Sequence, residues 1–154
     1  LIVIFIVASL QVDKFLELPK LLPTSLRVVV SMPILAVGLF LMLWSILHFM
    51  KVKGTPVPFN PPPKVVTTCP YAYVRNPMLI GIFILLLGFG ALLQSVSLTF
   101  IFTPFLILLS VLELKGIEEP ELERRLGKEY VEYKKRVPMF ISTLRIRPKK
   151  RFAK

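Results

Sequence analysis

The chain has 154 residues, of which 55% are hydrophobic and only 19% are charged, and its mean hydropathy is +0.71. Soluble domains carry about 25% charged residues, so this composition excludes an ordinary soluble domain and a disordered chain alike. One cysteine excludes an internal disulfide, and one cysteine with one histidine cannot by themselves form a zinc site. We therefore interpret the chain as an all-α integral membrane protein.

The apolar residues are gathered into segments that predict about four transmembrane helices. Residues 25–50 carry only the charge of Arg27, and as a helix of about 39 Å they would cross a bilayer core of about 30 Å. The later block 78–112 is too long for one crossing, and its polar residues 94–97 predict a turn. The first segment lacks the basic start of a signal peptide, and we interpret it as a truncated or processed helix. The four predicted helices are about 1–12, 25–50, 78–93 and 97–114.

Residues that disfavour helices occur inside two of these segments. Pro33 lies in the first third of the second helix, where a kink is tolerated in lipid. The third helix contains Gly81, Gly88 and Gly90. Because no strand precedes these glycines, they are interpreted as close packing points between helices and not as a nucleotide-binding loop.

Basic residues are concentrated in two segments that a four-helix topology places on one side of the membrane. Segment 51–77 carries four basic residues and no acidic residue, and the chain from Lys115 onward holds thirteen of the twenty basic residues. By the positive-inside rule, we predict a multi-pass protein whose 51–77 loop and C-terminus are cytoplasmic. The terminal run 145–154 is expected to contact anionic membrane lipids, and we expect no nucleic-acid partner.

A proline-rich segment precedes the third predicted helix. Residues 54–64 contain five of the fourteen prolines and predict a stiff, non-helical connector that leads to Arg75. One interpretation is an interfacial loop with Tyr71, Tyr73 and a snorkelling Arg75. The other is a rigid lip that holds Arg75 over a pocket at the membrane surface.

Two adjacent acids, Glu118 and Glu119, follow the fourth predicted helix and open a predicted amphipathic cytoplasmic helix. Pro120 suits the first turn of such a helix, with acids near its start and bases near its end. The acids could therefore only stabilise a helix start, and the helix could lie on the bilayer. A carboxylate pair opposite Arg75 also suits a functional site. An apolar stripe recurs at helical spacing, at Leu122, Leu126, Tyr130, Tyr133 and Val137.

Together these motifs resemble the isoprenylcysteine carboxyl methyltransferase and phospholipid methyltransferase superfamily. The likeness covers roughly residues 48–141 and implies a single membrane methyltransferase domain over 1–154. In this domain 54–77 would be the cofactor loop and 118–154 the C-terminal helix and basic tail. The resemblance implies S-adenosylmethionine as cofactor, S-adenosylhomocysteine as product, and no Rossmann domain. The motif residues are Val66, Cys69, Tyr71, Val74, Arg75, Asn76 and Pro77, then Glu118 and Glu119, then Leu126, Gly127, Tyr130, Tyr133, Val137 and Pro138.

The same resemblance implies which residues form the site. Arg75 can bind the cofactor carboxylate, Glu118 can accept from its ammonium group, and Arg75 and Glu119 are the predicted catalytic residues. An amine acceptor would also have to lose a proton, since an alkylammonium has a pKa of about 10. No residue stands out as that base, and Glu119, Tyr73 and His48 are candidates only. The implied cofactor-binding residues are Pro63, Lys64, Val65, Val66, Tyr71, Arg75, Asn76, Pro77, Met78, Leu79 and Glu118.

The acceptor is expected to be a lipid or a lipidated molecule, either a prenylcysteine carboxylate or a phospholipid amine. The family motif arginine–histidine–proline–x–tyrosine reads Arg75-Asn76-Pro77-Met78-Leu79 here. Leu114 stands where the prenylcysteine enzymes carry an arginine, which weighs against that acceptor. Two alternatives stay open: an NADPH-dependent, sterol-reductase-like membrane enzyme, and a non-enzymatic scaffold with a lipid-binding basic tail.

Overall fold

The computed structural model describes residues 2–51 and 70–140. The described chain is all-helical, as predicted, and neither of these ranges contains a strand. Residues 98–126 form one continuous helix that includes two π-helical turns. The elements are α1 (Ile2–Phe15), α2 (Thr24–Lys51), α3 (Pro77–Leu93), the first π turn (Leu98–Phe102), α4 (Thr103–Glu113), the second π turn (Leu114–Glu118), α5 (Glu119–Leu126) and α6 (Lys128–Arg136).

Helices α2 and α3 run antiparallel and approach each other closely through glycines. A Cβ atom on Gly81 would lie 2.7 Å from the backbone nitrogen of Met42, closer than real Cβ contacts allow. A Cβ atom on Gly88 would lie 2.8 Å from the side chain of Leu35 in α2, and one on Gly90 would overlap the side chain of Thr99. The predicted packing role of these three glycines is confirmed, because only a residue without a side chain permits this approach.

The turn predicted at 94–97 is confirmed, and it is held by the end of α1. Helix α3 ends at Leu93 and is capped by Gln94, whose φ of 58° is left-handed. The carboxylate of Asp13 accepts hydrogen bonds from the Ser95 hydroxyl and, at 2.9 Å, from the backbone N–H of Ser97. The hydroxyl of Ser97 in turn donates to the carbonyl of Ser9 at 2.8 Å. These bonds fix α1 antiparallel to the helix that follows the turn.

The packed core lies between α3 and the long helix 98–126. Phe83 and Leu86 of α3 are buried against Leu98 and Leu106. The ring of Phe140 packs edge-on against Phe83, with ring centroids 5.7 Å apart. The C-terminal segment is therefore anchored in the same core as the helices, which brings it to the start of α3.

Two helices of the described chain are long and apolar enough to cross a membrane, namely Thr24–His48 and Leu98–Leu126. Helix α3 is also apolar but shorter. Large apolar side chains are exposed along α2, including Val29, Phe40 and Leu47. Such a surface is suited to lipid, since a soluble protein rarely leaves so large an apolar patch in water.

The predicted helix boundary between 114 and 118 is wrong, because the helix continues through the acidic pair to Leu126. A proline follows each π turn two residues after its end: Pro104 follows the first turn and Pro120 follows the second. Proline donates no backbone hydrogen bond and its ring crowds the preceding turn. In the wider π turns the N–H groups of Thr103 and Glu119 bond five residues back, so that the helix passes through both prolines.

The predicted amphipathic helix from 118 onward is likewise two helices, α5 and α6. Gly127 separates them with φ 58° and ψ −137°, a conformation that disfavours residues with a side chain. The sequence periodicity runs through this glycine and conceals the break. The break lets α6 turn back towards the start of α3.

Candidate functional site

The centre of the site is an ion pair between the loop before α3 and the start of α5. Nη1 of Arg75 donates to Oε1 of Glu119 at 2.5 Å, and these side chains are only 11% and 7% exposed. Nζ of Lys134 in α6 lies 2.5 Å from the other carboxylate oxygen, and 2.9 Å from Glu123. The Glu119 carboxylate therefore bridges two cations and joins three segments of the chain.

The C-terminal segment is bonded to the arginine loop by its backbone. The backbone N–H of Arg75 donates to the carbonyl of Pro138 at 2.9 Å, and that of Asn76 donates to Met139 at 3.3 Å. These bonds use donors that precede α3 and would otherwise be unpaired at a helix start. The loop and the C-terminal segment form one unit.

Helix α6 packs its aromatic face on this unit. The Tyr133 hydroxyl donates to the carbonyl of Tyr71 at 2.7 Å, and the ring of Tyr130 lies 6.2 Å from that of Tyr133. Tyr130 and Val137 are buried. The apolar stripe of α6 therefore faces the protein at the Arg75 loop, and not the bilayer surface.

Glu118 differs from Glu119 in its partners. Its side chain is half-buried, and within residues 2–51 and 70–140 it makes neither a hydrogen bond nor an ion pair. Its negative charge adds to burial in raising the pKa of the Tyr71 phenol. The described part of the chain also leaves one buried donor at this site, Nε of Arg75, without an acceptor. Among the described residues, a carboxylate and a guanidinium nitrogen without partners thus lie at the same end of the bundle.

The phenols of the site are neutral at physiological pH. Burial raises the pKa of Tyr133 and, together with the charge of Glu118, the pKa of Tyr71 far above the usual value of a phenol. Burial also raises the pKa of Tyr130, partly offset by a hydrogen bond from Arg75. Hydrogen bonds to Glu119 and Glu123 raise the pKa of Lys134, which stays protonated. The neutral tyrosines therefore supply apolar surface and hydrogen-bonding hydroxyls: Tyr133 donates to a carbonyl, and Tyr130 accepts from Arg75.

The predicted cofactor residues that the structure describes gather at the start of α3. Tyr71 and Pro77 are buried, whereas Asn76, Met78 and Leu79 are half-buried. Leu79 packs against the core. Four predicted cofactor residues lie outside the described residues, namely Pro63, Lys64, Val65 and Val66.

Beside this loop lies an apolar cavity of about 170 Å³. It opens between the end of α2 and the start of α3, and no polar surface lines it. Such a space accepts hydrocarbon more readily than a charged group. Its lining is Leu41, Trp44, Pro70, Tyr73, Val74, Pro77 and Ile80.

Three contributions to the site have little or no distinguishing signal in the sequence. Lys134 was not expected to bind Glu119, because one lysine among the many bases of the tail carries no distinguishing signal. Pro138 and Met139 act through their carbonyl groups, which any residue supplies. The stripe residues Tyr130 and Tyr133 were noted, but their alternation with charges suits a membrane-surface helix equally well.

A family comparison identifies the class of protein that this fold and site represent. The phospholipid methyltransferase family model matches residues 26–129, which is most of the chain. The chain belongs to the phospholipid methyltransferase family, and the resemblance inferred from the motifs is confirmed. Searches of curated proteins and of solved structures give no match. As a member of this family the protein is a membrane methyltransferase acting on lipids, which favours neither the reductase nor the scaffold.

Proposed function

We propose that the protein transfers a methyl group from S-adenosylmethionine to a lipid acceptor at the membrane surface. The observation that carries this proposal is the ion pair between Arg75 and Glu119, which brings the arginine loop to the acidic pair. Among residues 2–51 and 70–140, the Glu118 carboxylate and the Arg75 Nε have no partners there. In a methyltransferase family, paired positive and negative groups at one site suit a zwitterionic methyl donor.

The residues fit the amino-acid end of the cofactor. Its ammonium group requires an acceptor, which the half-buried Glu118 carboxylate offers. Its carboxylate requires a donor, which the buried Nε of Arg75 offers. A buried donor without an acceptor is costly, and a ligand oxygen at this position would remove that cost.

When bound, S-adenosylmethionine supplies the electrophilic methyl group. The chain's own residues position it: Glu119, itself bound by Lys134, holds the Arg75 guanidinium in place. The buried Tyr71 and Tyr130 supply apolar surface at the same end of the bundle. A preorganised, dehydrated site of this kind lowers the barrier by orienting the two reactants. We assign Arg75 to cofactor binding and Glu119 to fixing its guanidinium.

We propose a phospholipid amine as the acceptor in preference to a prenylcysteine carboxylate. Leu114, at the position where an arginine would hold that carboxylate, is buried, and the adjacent Lys115 is exposed. Neither position 114 nor position 115 therefore offers an inward cation for a carboxylate acceptor. The apolar cavity beside Tyr73 can receive part of a hydrocarbon chain of the lipid.

We further propose that the bundle crosses the membrane four times, with the site on the cytoplasmic side. The end of α2, the start of α3 and the helices α5 and α6 lie at one end of the bundle. In the sequence, the basic segment 51–77 joins the end of α2 to the start of α3, and the basic tail follows α6. The positive-inside rule places such segments in the cytoplasm.

The test is binding of S-adenosylhomocysteine to detergent-purified protein by calorimetry, followed by incubation of membranes with radiolabelled methyl donor. We expect Glu118→Gln and Arg75→Lys to weaken binding at least tenfold, with Glu121→Gln as the exposed control. Label should appear in the lipid extract and not in protein. Unchanged affinity in both site variants would refute the cofactor site. Labelled protein with unlabelled lipid would refute the lipid acceptor.

A further inference from the structure

The second π turn determines which of two adjacent glutamates faces Arg75. Across this turn, Leu114 and Glu119 are both buried, although five residues separate them, and the backbone N–H of Glu119 bonds to the carbonyl of Leu114. Leu114 is 4% exposed, whereas Ile117, three residues later, is 67% exposed despite its apolar side chain. The helix therefore presents residues i and i+5 on one face here.

A regular α-helix of the same sequence would present different residues. Successive residues turn by about 100°, so position i+5 lies about 140° away from position i, whereas i+4 lies only about 40° away. In that geometry Glu118 would occupy the face of Leu114, and Glu119 would point away from Arg75. The exposed Ile117 would lie nearer the inward face.

We propose that the π turn at Leu114–Glu118 gives the two glutamates separate partners. By widening one turn it aligns Glu119 with Leu114, where Glu119 pairs with Arg75 and Lys134. Glu118 is thereby kept out of that ion pair. The assignment of Glu118 to a ligand rests on the proposed function, whereas the assignment of Glu119 to Arg75 does not.

Pro120 favours this turn, and the open surroundings of Gly116 allow the length of the turn to be changed. Pro120 has no backbone N–H for the α-helical bond to Gly116, and its ring disfavours a tight turn before it. Gly116 is exposed, and nothing lies within 4 Å of a Cβ atom built on it. A change at Gly116 therefore meets no neighbouring atom, which makes it a suitable position for altering the length of the turn.

The register can be tested by changing the length of the turn by one residue. In the background Pro120→Ala, deletion of Gly116 makes Glu119 the i+4 neighbour of Leu114, so an ordinary α-helix keeps the same N–H to carbonyl bond. Insertion of one alanine after Gly116 in the same background instead rotates Glu119 by about 100°. The matched pair therefore differs in register and shares the proline substitution.

We expect the deletion variant to bind S-adenosylhomocysteine within threefold of Pro120→Ala and to unfold within a few degrees of it. We expect the insertion variant to lose at least tenfold in affinity and to unfold at a clearly lower temperature. Equal losses in both variants, or equal tolerance of both, would overturn the register inference.

A double-mutant cycle tests the pairing without any cofactor. We expect Arg75→Met and Glu119→Gln to be non-additive in thermal unfolding, because each removes the same ion pair, and Arg75→Met and Glu118→Gln to be additive. Coupling of Arg75 to Glu118 as strong as that to Glu119 would refute the division of roles. If the cycle holds while Glu118→Gln leaves S-adenosylhomocysteine binding unchanged, the π turn keeps its structural role and only the proposed cofactor contact fails.

Discussion

The guanidinium of Arg75 and the carboxylate of Glu119 lie 2.5 Å apart, although 44 residues separate them in the sequence. The intervening chain runs along α3, turns at Gln94 and returns along the long helix 98–126. Lys134 adds a third segment to the same carboxylate. One acidic side chain therefore couples the arginine loop, the end of the long helix and α6, and its loss should affect all three.

The first prediction concerns this carboxylate. Glu119→Gln leaves the nearly buried Arg75 without its counter-charge, and breaking a buried pair typically costs about 3–5 kcal/mol. Because Lys134, the second partner of Glu119, is partly exposed, we expect the free energy of unfolding to fall by about 3 kcal/mol, at the low end of this range. The measurement is thermal unfolding in detergent. Glu121→Gln, which breaks the exposed pair with Arg125, is the control and should cost under about 1 kcal/mol. Equal losses in the two variants would contradict the central role of Glu119.

The second prediction concerns the contact between α2 and α3. Gly81→Ala introduces a Cβ atom 2.7 Å from the backbone nitrogen of Met42, and backbone cannot move aside as a flexible side chain can. We expect a loss of about 1–3 kcal/mol from overpacking, read as a lowered unfolding temperature. Gly116→Ala, with open space around its Cβ, is the matched control. Equal unfolding temperatures of Gly81→Ala and Gly116→Ala would contradict the close contact between α2 and α3 at Gly81.

The third prediction concerns the break between α5 and α6. Gly127→Ala places a side chain at a φ of 58° and a ψ of −137°, and such strain costs of order 1–3 kcal/mol. We expect α6 to detach more readily and the chain after Gly127 to be cleaved faster in limited proteolysis. Lys128→Ala, an exposed change next to it, should leave the cleavage rate unchanged. Equal cleavage of the wild type and Gly127→Ala would contradict the strained break.

The fourth prediction concerns alkaline pH. The pKa of the Tyr133 phenol is raised by burial, so the folded protein keeps the proton that an unfolded tyrosine loses near pH 10. Its contribution to stability is complete below about pH 10 and is lost as pH rises further. Lys134, whose pKa is raised by Glu119 and Glu123, contributes in the same direction.

Unfolding temperature should accordingly be flat between about pH 7 and 9 and fall above about pH 10. Tyr133→Phe should reduce that slope, at the cost of about 1 kcal/mol at neutral pH for the lost hydrogen bond to the carbonyl of Tyr71. Tyr73→Phe, at an exposed phenol, is the control. If Tyr133→Phe leaves the fall of unfolding temperature above about pH 10 unchanged, the alkaline transition does not arise from Tyr133.

Much of the helical framework was predictable because it depends on hydrophobicity along short stretches of chain. The segments predicted at 25–50 and 78–93 match α2 and α3 to within one residue at each end. Residues 94–97 were correctly interpreted as a turn, since serine and glutamine interrupt an otherwise apolar block. Both sides of the site were also singled out, Arg75 by its proline context and the acids by their place after an apolar helix.

The pairing within the site was not predictable from local patterns. Glu118 and Glu119 are chemically identical neighbours, and only the π turn decides which of them meets Arg75. Pro120 was interpreted as the start of a new helix because proline favours that position. It instead lies within a continuous helix, since a wider turn removes its clash.

The sequence by itself determined an all-helical chain suited to a membrane, its basic loop and tail, and the family to which it belongs. These properties follow from composition and from the order of residues along the chain. The tertiary structure decided that Lys134 and Arg75 share one carboxylate and that α6 covers the arginine loop in place of a lipid surface. Those contacts depend on helix rotation and chain reversal over tens of residues, and neither a local period nor a net charge contains that information.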